Sequence, residues 1–219
     1  MNNQPVMIAS VLSLSRADAK DLKMIDDYSV HRVVYDLFSD ERSEVDKKSK
    51  SSGFLYIDKG WDKDSHKILM LSNRKPNEPK QGELSKFIEI TDSFLSHLHY
   101  RFEVVVNPTK CDGKLRNHPS KESKTIKGKT IPLKTREEIA SWFDSKAPQW
   151  GFSVKPEYLE VRDIEVKRFK KGENEITLAQ AKIVGGLTVT DKEKFVQSFQ
   201  NGIGRGRAFG CGLLQIVPI

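Results

Sequence analysis

Tyr28 and His31 stand three residues apart in "DDYSVHRVVYDLFSDE" (26–41). Around them Val30, Val33, Val34, Leu37 and Phe38 follow the spacing of one helical face. Asp26 or Asp27 is a natural N-cap for that helix. On a wheel of about 100° per residue, the five apolar residues point one way. Tyr28, Tyr35 and Ser39 fall on the far side, with His31 at its edge. Side chains three apart on a helix can meet. An imidazole exchanges a proton near neutrality, and a helix N-terminus favours an anion. The pair could therefore do acid–base chemistry on a phosphate. An exposed histidine beside a tyrosine satisfies the same pattern.

The second stretch of interest is "GIGRGRAFGCGLL" (202–214), near the end of the sequence. It holds Gly202, Gly204, Gly206, Gly210 and Gly212, with Arg205 and Arg207 between them. The glycine spacing is wrong for a dinucleotide loop, which must also open a helix. No G-K-[ST] follows, so it is not a P-loop. A turn from helix to strand needs one or two glycines. Five fit a backbone that must pass close to something phosphorylated, with the two guanidiniums beside it.

The rest of the chain must position these groups. "VMIASVLSL" (6–14) reads as a strand, "SGFLYIDKG" and "HKILMLSNR" as a hairpin around "WDKDS", and "LHYRFEVVVNP" as a strand that Pro108 stops. "ELSKFIEITDSFL" reads as a helix. This β-α-β-β-α-β order is the ferredoxin-like plan. From Lys110 to Lys134 come eight basic residues, Lys127 and Lys129 among them, against Asp112 and Glu122. That run reads as a solvated basic connection. Beyond it, Thr135 and Glu138 form a capping box for a helix. Two long paired strands turning at Gly172, a helix at "DKEKFVQSFQNGI" and a last strand at "CGLLQIVPI" follow. The first strand of this half is the short "KTIPL". The expected fold class is α+β: two tandem ferredoxin-like (RRM-like, βαββαβ) domains at 1–108 and 130–219, joined by the basic connection 109–129.

Composition narrows the function. The 219 residues carry 37 Lys plus Arg against 30 Asp plus Glu, a net charge of +7. A basic excess points to a polyanionic partner, and a lysine-rich soluble surface gives the same number. Two isolated cysteines, Cys111 and Cys211, fit a reducing compartment. No basic and apolar leader opens the sequence, and no apolar run approaches the roughly 20 residues of a membrane helix. The protein is expected in the cytoplasm, off the membrane. His97 and His99 lack companion ligands at metal spacing, so no metal and no cofactor are expected.

Four segments, taken in order, resemble one family. "YSVHRVVYDLF" is similar to its Y-x-x-H first helix, "RFEVVVNPTK" to a strand ending in N-P-x-K, and "GKTIPLKTREEIASWF" to a G-K…L…W segment. "NGIGRGRAFGCGLLQIVP" is similar to its C-terminal signature. The family is that of the CasE-type CRISPR endoribonucleases, the precursor-RNA processing subunits of type I-E Cascade within the RAMP class. The resemblance implies tandem ferredoxin-like domains and binding of a CRISPR repeat hairpin. It implies metal-independent cleavage at the 3′ base of the stem by the 2′-hydroxyl, leaving a cyclic phosphate and a 5′-hydroxyl.

The family's catalytic pair carries over to Tyr28 and His31, and its later serine to Ser39. Asp36 departs from the pattern, since a relative carries lysine there. The family's basic hairpin corresponds to Arg162, Lys167, Arg168, Lys170 and Lys171, which would enter the groove of the stem. Thin basic elements suit A-form RNA, whose major groove is deep and narrow. Gly202, Gly204, Arg205, Gly206, Arg207 and Gly210 would lie along the RNA backbone, with Lys110, Lys127 and Lys129 as further phosphate contacts. The implied partners are precursor and mature crRNA and other Cascade subunits, the chain being a monomer before assembly. A non-cleaving RNA-binding subunit of a CRISPR complex is the alternative.

Overall fold

Both edges of the first strand carry main-chain groups that need partners, and how they are met sets the N-terminal half. The structure, a computed structural model, describes residues 7–40, 42–43, 51–111 and 130–219. Lys127, Lys129 and the side chain of Lys171 lie outside the described residues. Strand β1 (Met7–Ser15) alternates, burying Met7, Ser10, Leu12 and Leu14. A short helix α1 (Arg16–Asp21), capped by Ser15 with Asp18 reaching back, leads to α2 (Asp27–Asp36). Strands β2 (Phe54–Asp62) and β3 (Ser65–Ser72) form the expected hairpin. One edge of β1 pairs antiparallel with β3. Its other edge takes β4 (Glu83–Leu84) and β5 (Ile88–Ile90).

The helix expected over "ELSKFIEITDSFL" is therefore absent. β-Branched Ile88 and Ile90 sit against Ala9 and Met7 as strand partners, and Ser85 bonds the Val11 backbone in both directions. The free edge of β1 outweighs the weak helical pattern. The sheet order is β2-β3-β1-β4, with β5 also on β1.

A second correction concerns β6 (His99–Val106), expected to close the first domain. It pairs instead with strands of the second sheet. Its alternating Tyr100, Phe102, Val104 and Val106 are all buried there. The remaining elements are β7 (Thr109–Cys111), β8 (Thr130–Pro132), α3 (Arg136–Lys146), β9 (Phe152–Val154), β10 (Glu160–Lys171), β11 (Asn174–Val189), α4 (Lys192–Asn201) and β12 (Gln215–Pro218). The second sheet runs β10-β11-β6-β12, with β9 on β11. With α3 and α4 it completes a βαββαβ unit that starts at β6. The basic connection then falls inside this unit, between its first strand and first helix. "KTIPL", expected as that first strand, contributes only β8, which pairs with β7.

One apolar cluster runs from Leu55, Ile57 and Leu71 of the first sheet to Phe102, Val104 and Ile183 of the second, with Phe199, Leu213 and Leu214 joining them. Lys59 on β2 adds hydrogen bonds to Glu103 on β6 (2.9 Å) and to Gln215 on β12 (3.1 Å). The two sheets thus hold α2 and the glycine tract against each other.

Candidate active site

Helix α2 begins as its sequence dictates, but its N-terminus is already occupied. The Asp26 carboxylate accepts from the Ser29 N–H at 2.8 Å, and Ser29 Oγ accepts from the backbone N–H of Ile25 and Asp26. Asp27 follows in the first turn and takes an ion pair from Lys167 at 2.9 Å. Two carboxylates at this end, one of them paired with Lys167, oppose the pull of the helix N-terminus on the anion expected there. The helix also stops at Asp36, short of Ser39. The Leu37 carbonyl is taken by the Asn77 N–H and the Ser39 carbonyl by Arg74. Ser39 is exposed in the segment after the helix, so the wheel that placed it beside Tyr28 and Tyr35 does not apply. Asp36 is exposed and lies 3.4 Å from the Lys80 ammonium.

His31 is built into a defined setting. Its ring lies 5.8 Å from Tyr28, nearly parallel, 4.0 Å from Tyr35 and 5.3 Å from Phe209. Its Nδ1 is 2.7 Å from the carbonyl oxygen of Ala208. A carbonyl only accepts, so Nδ1 carries the hydrogen and Nε2 is the nitrogen for proton exchange. The same carbonyl accepts from the Tyr56 hydroxyl at 2.8 Å. Burial, then the nearby Tyr35 and acidic groups, push the Tyr56 phenol far above its ordinary value, so it stays a donor.

Ala208 reaches this position through the glycine tract. All five glycines have positive φ. At Gly202 a Cβ would meet Leu55 at 2.8 Å, and at Gly212 it would meet the Ile203 carbonyl at 2.3 Å. The expectation that a turn needs only one or two glycines is thereby corrected. The chain folds back on itself at the junction of the two sheets, and the backbone takes a positive φ at each of the five glycines. Between Gly206 and Gly210 a single 3₁₀ turn, Arg207–Phe209, presents the Ala208 carbonyl.

Phe209 borders two clefts of opposite charge. One, of 440 Å3, is lined by Tyr35, Arg42, Arg205, Arg207 and Ala208, with no carboxylate among its described lining residues. Arg42 also pairs with Asp40 at 2.9 Å, Arg207 donates to the Asn201 carbonyl at 2.8 Å, and Arg205 points to the Thr130 hydroxyl at 3.4 Å. The other cleft carries Asp27, Asp58, Asp163 and Glu165 against Lys167 and Lys182. Charge directs a phosphate to the arginine side.

The hairpin cations divide by the pleat. Phe169 is buried against Phe209, ring to ring at 4.9 Å, and packs in a cluster with Tyr28. Lys167 shares that inward face and bonds Asp27. Burial lowers its basicity, but the Asp27 hydrogen bond and charge, with Glu165, more than offset this and hold the ammonium above its usual range. Arg168 and Lys170 face outward and are exposed. Arg162 sits beyond a bulge and pairs with Glu160. Of the five cations expected to act together, the four with described side chains are thus in three different situations. Lys110 lies on β7, 3.7 Å from Glu138.

Tyr56, Phe209, Arg42 and the Ala208 carbonyl were not legible as site groups. A backbone carbonyl has no sequence signature, and Tyr56 sits in an ordinary apolar strand. Among the described residues no group of three or more His, Cys, Asp or Glu could hold a metal ion. No helix among them is long and apolar enough to cross a membrane.

Two antiparallel sheets of ferredoxin-like order, with His31 held beside an arginine-lined cleft, define an α+β protein of tandem ferredoxin-like domains. The chain belongs to the CRISPR-associated protein family, whose model matches residues 7–218. This agrees with the CasE-type resemblance of the four segments. A curated relative, the CRISPR-associated endoribonuclease Cse3 of Thermus thermophilus, is 32% identical over 115 residues, 48% of this chain. The match spans only 54% of that relative's length. The fold is shared with a structure of the CRISPR endoribonuclease Cse3 bound to 19 nt RNA, at a TM-score of 0.73, 20% identity, and 97% and 99% of the two chains. It is shared too with the Cas6e protein of Escherichia coli K-12, at a TM-score of 0.69, 20% identity, and 97% and 100% of the two chains. A chain of a CRISPR RNA-guided surveillance complex in a pre-nicking state gives 0.67 at 19% identity, covering 97% of this chain and 100% of that one.

Proposed function

We propose that this protein is a CRISPR RNA endoribonuclease. It binds the stem-loop of a CRISPR repeat RNA and cuts at the 3′ base of the stem. The 2′-hydroxyl oxygen forms the new bond to phosphorus while the bond to the 5′ oxygen breaks, giving a cyclic phosphate and a 5′-hydroxyl. His31 Nε2 exchanges a proton with the reacting oxygens, a role worth about 10²–10⁴-fold. The observation that carries this reading is the Nδ1–H bond to the Ala208 carbonyl, which fixes one tautomer of a ring packed on Tyr35 and Phe209, residues that line the cleft of three arginines. Those guanidiniums meet the charge that grows on the non-bridging oxygens, so the proposed chemistry calls for no metal. Tyr28, stacked on the imidazole, orients the 2′-hydroxyl or the phosphate. The outward Arg168 and Lys170 contact the stem. A Cse3 structure with bound RNA and the surveillance-complex chain support crRNA and Cascade subunits as partners. The cytoplasm is the proposed site of action.

The test is cleavage of the repeat RNA of the source genome in EDTA, beside a copy with 2′-deoxy at the nucleotide before the cut. One cut below the stem, absent from the deoxy copy, is expected. Tight binding without cutting would make the chain a non-cleaving subunit instead.

A further inference from the structure

A second cleft adjoins the arginine cleft and shares Gly204 and Arg205 with it. It lies between α3, the turn after it and β7, and encloses 540 Å3. Trp142 and Trp150 form its wall, ring centroids 6.3 Å apart and nearly perpendicular. Both are only half-buried. Their backs rest on Phe143, so each ring is braced by the core. Lys110, Lys146 and Arg205 stand around the opening, and no carboxylate is among its described lining residues. Asn107 also lines it.

These features match one chemistry. A rigid half-exposed indole is a stacking surface for a nucleobase, and cations beside it suit the linked phosphate. A helical stem keeps its bases stacked within it, so the occupant must be unpaired. The volume lies within the about 300–1,000 Å3 of small-ligand pockets.

We propose that the cleft walled by Trp142 and Trp150 holds an unpaired ribonucleotide that flanks the stem, next to the scissile phosphate in the arginine cleft. The proposal rests on the endoribonuclease reading and adds a single-stranded subsite to it. Such a subsite sets where the strand runs as it leaves the cut.

The test uses the full chain carrying Trp61→Phe, which leaves Trp142 and Trp150 as the emitters. Uncleavable 2′-deoxy repeat RNAs are compared as a blunt hairpin, a hairpin with a 5′ single-stranded flank, and one with a 3′ flank. One flank should tighten binding by about 5- to 150-fold, the worth of one stacked base, and quench tryptophan emission. The blunt hairpin should do neither. Lys146→Ala and Trp142→Leu should remove most of the gain and leave blunt-hairpin affinity unchanged. Should Trp142→Leu fail to fold, Lys146→Ala carries the comparison. Flanks that add neither affinity nor quenching would overturn the subsite while hairpin binding stands. A gain untouched by Lys146→Ala and without quenching would overturn it as well. Failure of all three RNAs to bind would remove the endoribonuclease reading and the subsite together.

Discussion

The imidazole Nδ1 of His31 and the carbonyl oxygen of Ala208 lie 2.7 Å apart across 177 residues of chain. His31 comes from the first domain and its orienting acceptor from a turn of the second. On the proposed function, cleavage should therefore depend on both domains, while hairpin affinity should depend mainly on exposed cations.

His31→Ala should separate the two. Its single-turnover cleavage rate should fall by about 10²–10⁴-fold. The Kd for the uncleavable 2′-deoxy RNA should stay near the wild-type value, because the arginines of the cleft and the outward hairpin cations remain. A loss of affinity as large as the loss of rate would mean that His31 binds rather than reacts.

Tyr56 should act as a positioning residue under the proposed function, since its hydroxyl shares the Ala208 carbonyl with His31. Tyr56→Phe removes one of the two described side-chain bonds to the Ala208 carbonyl. One hydrogen bond is worth about 0.5–1.5 kcal/mol, so the cleavage rate should drop by about 2- to 10-fold. The Kd for uncleavable RNA should not change. An unaltered rate would show that the turn holds Ala208 without the Tyr56 hydroxyl, through the His31 bond, the Gln180 bond to the Phe209 carbonyl and the glycine backbone.

The salt dependence of RNA binding should sort the hairpin cations. Each phosphate contact adds about 0.7–0.9 to the slope of log K against log salt. Arg168→Ala with Lys170→Ala should reduce the slope by about two contacts' worth. Lys167→Ala should leave it nearly unchanged, because that ammonium is spent on Asp27. It should instead lower stability by about 1–2 kcal/mol, through a half-buried carboxylate left unpaired. A full contact's change in the Lys167 slope would mean that RNA pulls this lysine away from α2.

How far the sequence could be read follows from where each signal resides. The α2 pattern, the Asp26 cap, the β2–β3 and β10–β11 hairpins and both later helices are local, and spacing carries them. The membership of β6 is not local. Its alternating apolar residues suit either sheet, and only its pairing with β11 and β12 decides. The lost helix over residues 83–95 has the same cause, a free β1 edge that no window of sequence reveals. At the site, His31, Arg205 and Arg207 stood out by type, but Arg42, the Ala208 carbonyl and Tyr56 became visible only through contact. The cations of β10 looked like one patch because the inward turn of Lys167 depends on Asp27, far away in sequence.

Alkaline pH should test the buried junction. Burial pushes the Cys211 thiol up to about 12, against an ordinary 9.0, with the Gln180 hydrogen bond and Lys167 opposing. Below about pH 9 the folded and unfolded chains both keep that proton, and the full stability is present. Between about 9 and 12 only the unfolded chain releases it, so stability should fall as pH rises, by up to about 1.4 kcal/mol per unit. The raised Tyr56 phenol adds to the fall above about 10. Urea unfolding of wild type and Cys211→Ala across this range should show a shallower decline in the variant. Identical slopes would place the alkaline loss elsewhere.

The glycine tract makes a graded prediction. Gly204 and Gly212 both have left-handed backbone, at φ +71° and +84°. At Gly204 a Cβ would meet nothing within 4 Å, so Gly204→Ala bears only the backbone cost of about 1–2 kcal/mol. At Gly212 the Cβ would lie 2.3 Å from the Ile203 carbonyl, and the Ile203 N–H bonds the Gly212 carbonyl at 2.9 Å. Gly212→Ala must add the loss of that pairing, about 1–3 kcal/mol more. Because that pairing anchors the fold-back that carries Ala208, the Gly212 variant should also lose cleavage, while the Gly204 variant keeps most of it. Urea midpoints and single-turnover rates, measured on both, decide the matter. Equal destabilisation would mean that backbone conformation alone demands these glycines, and that the close approach of the tract to its neighbours contributes nothing.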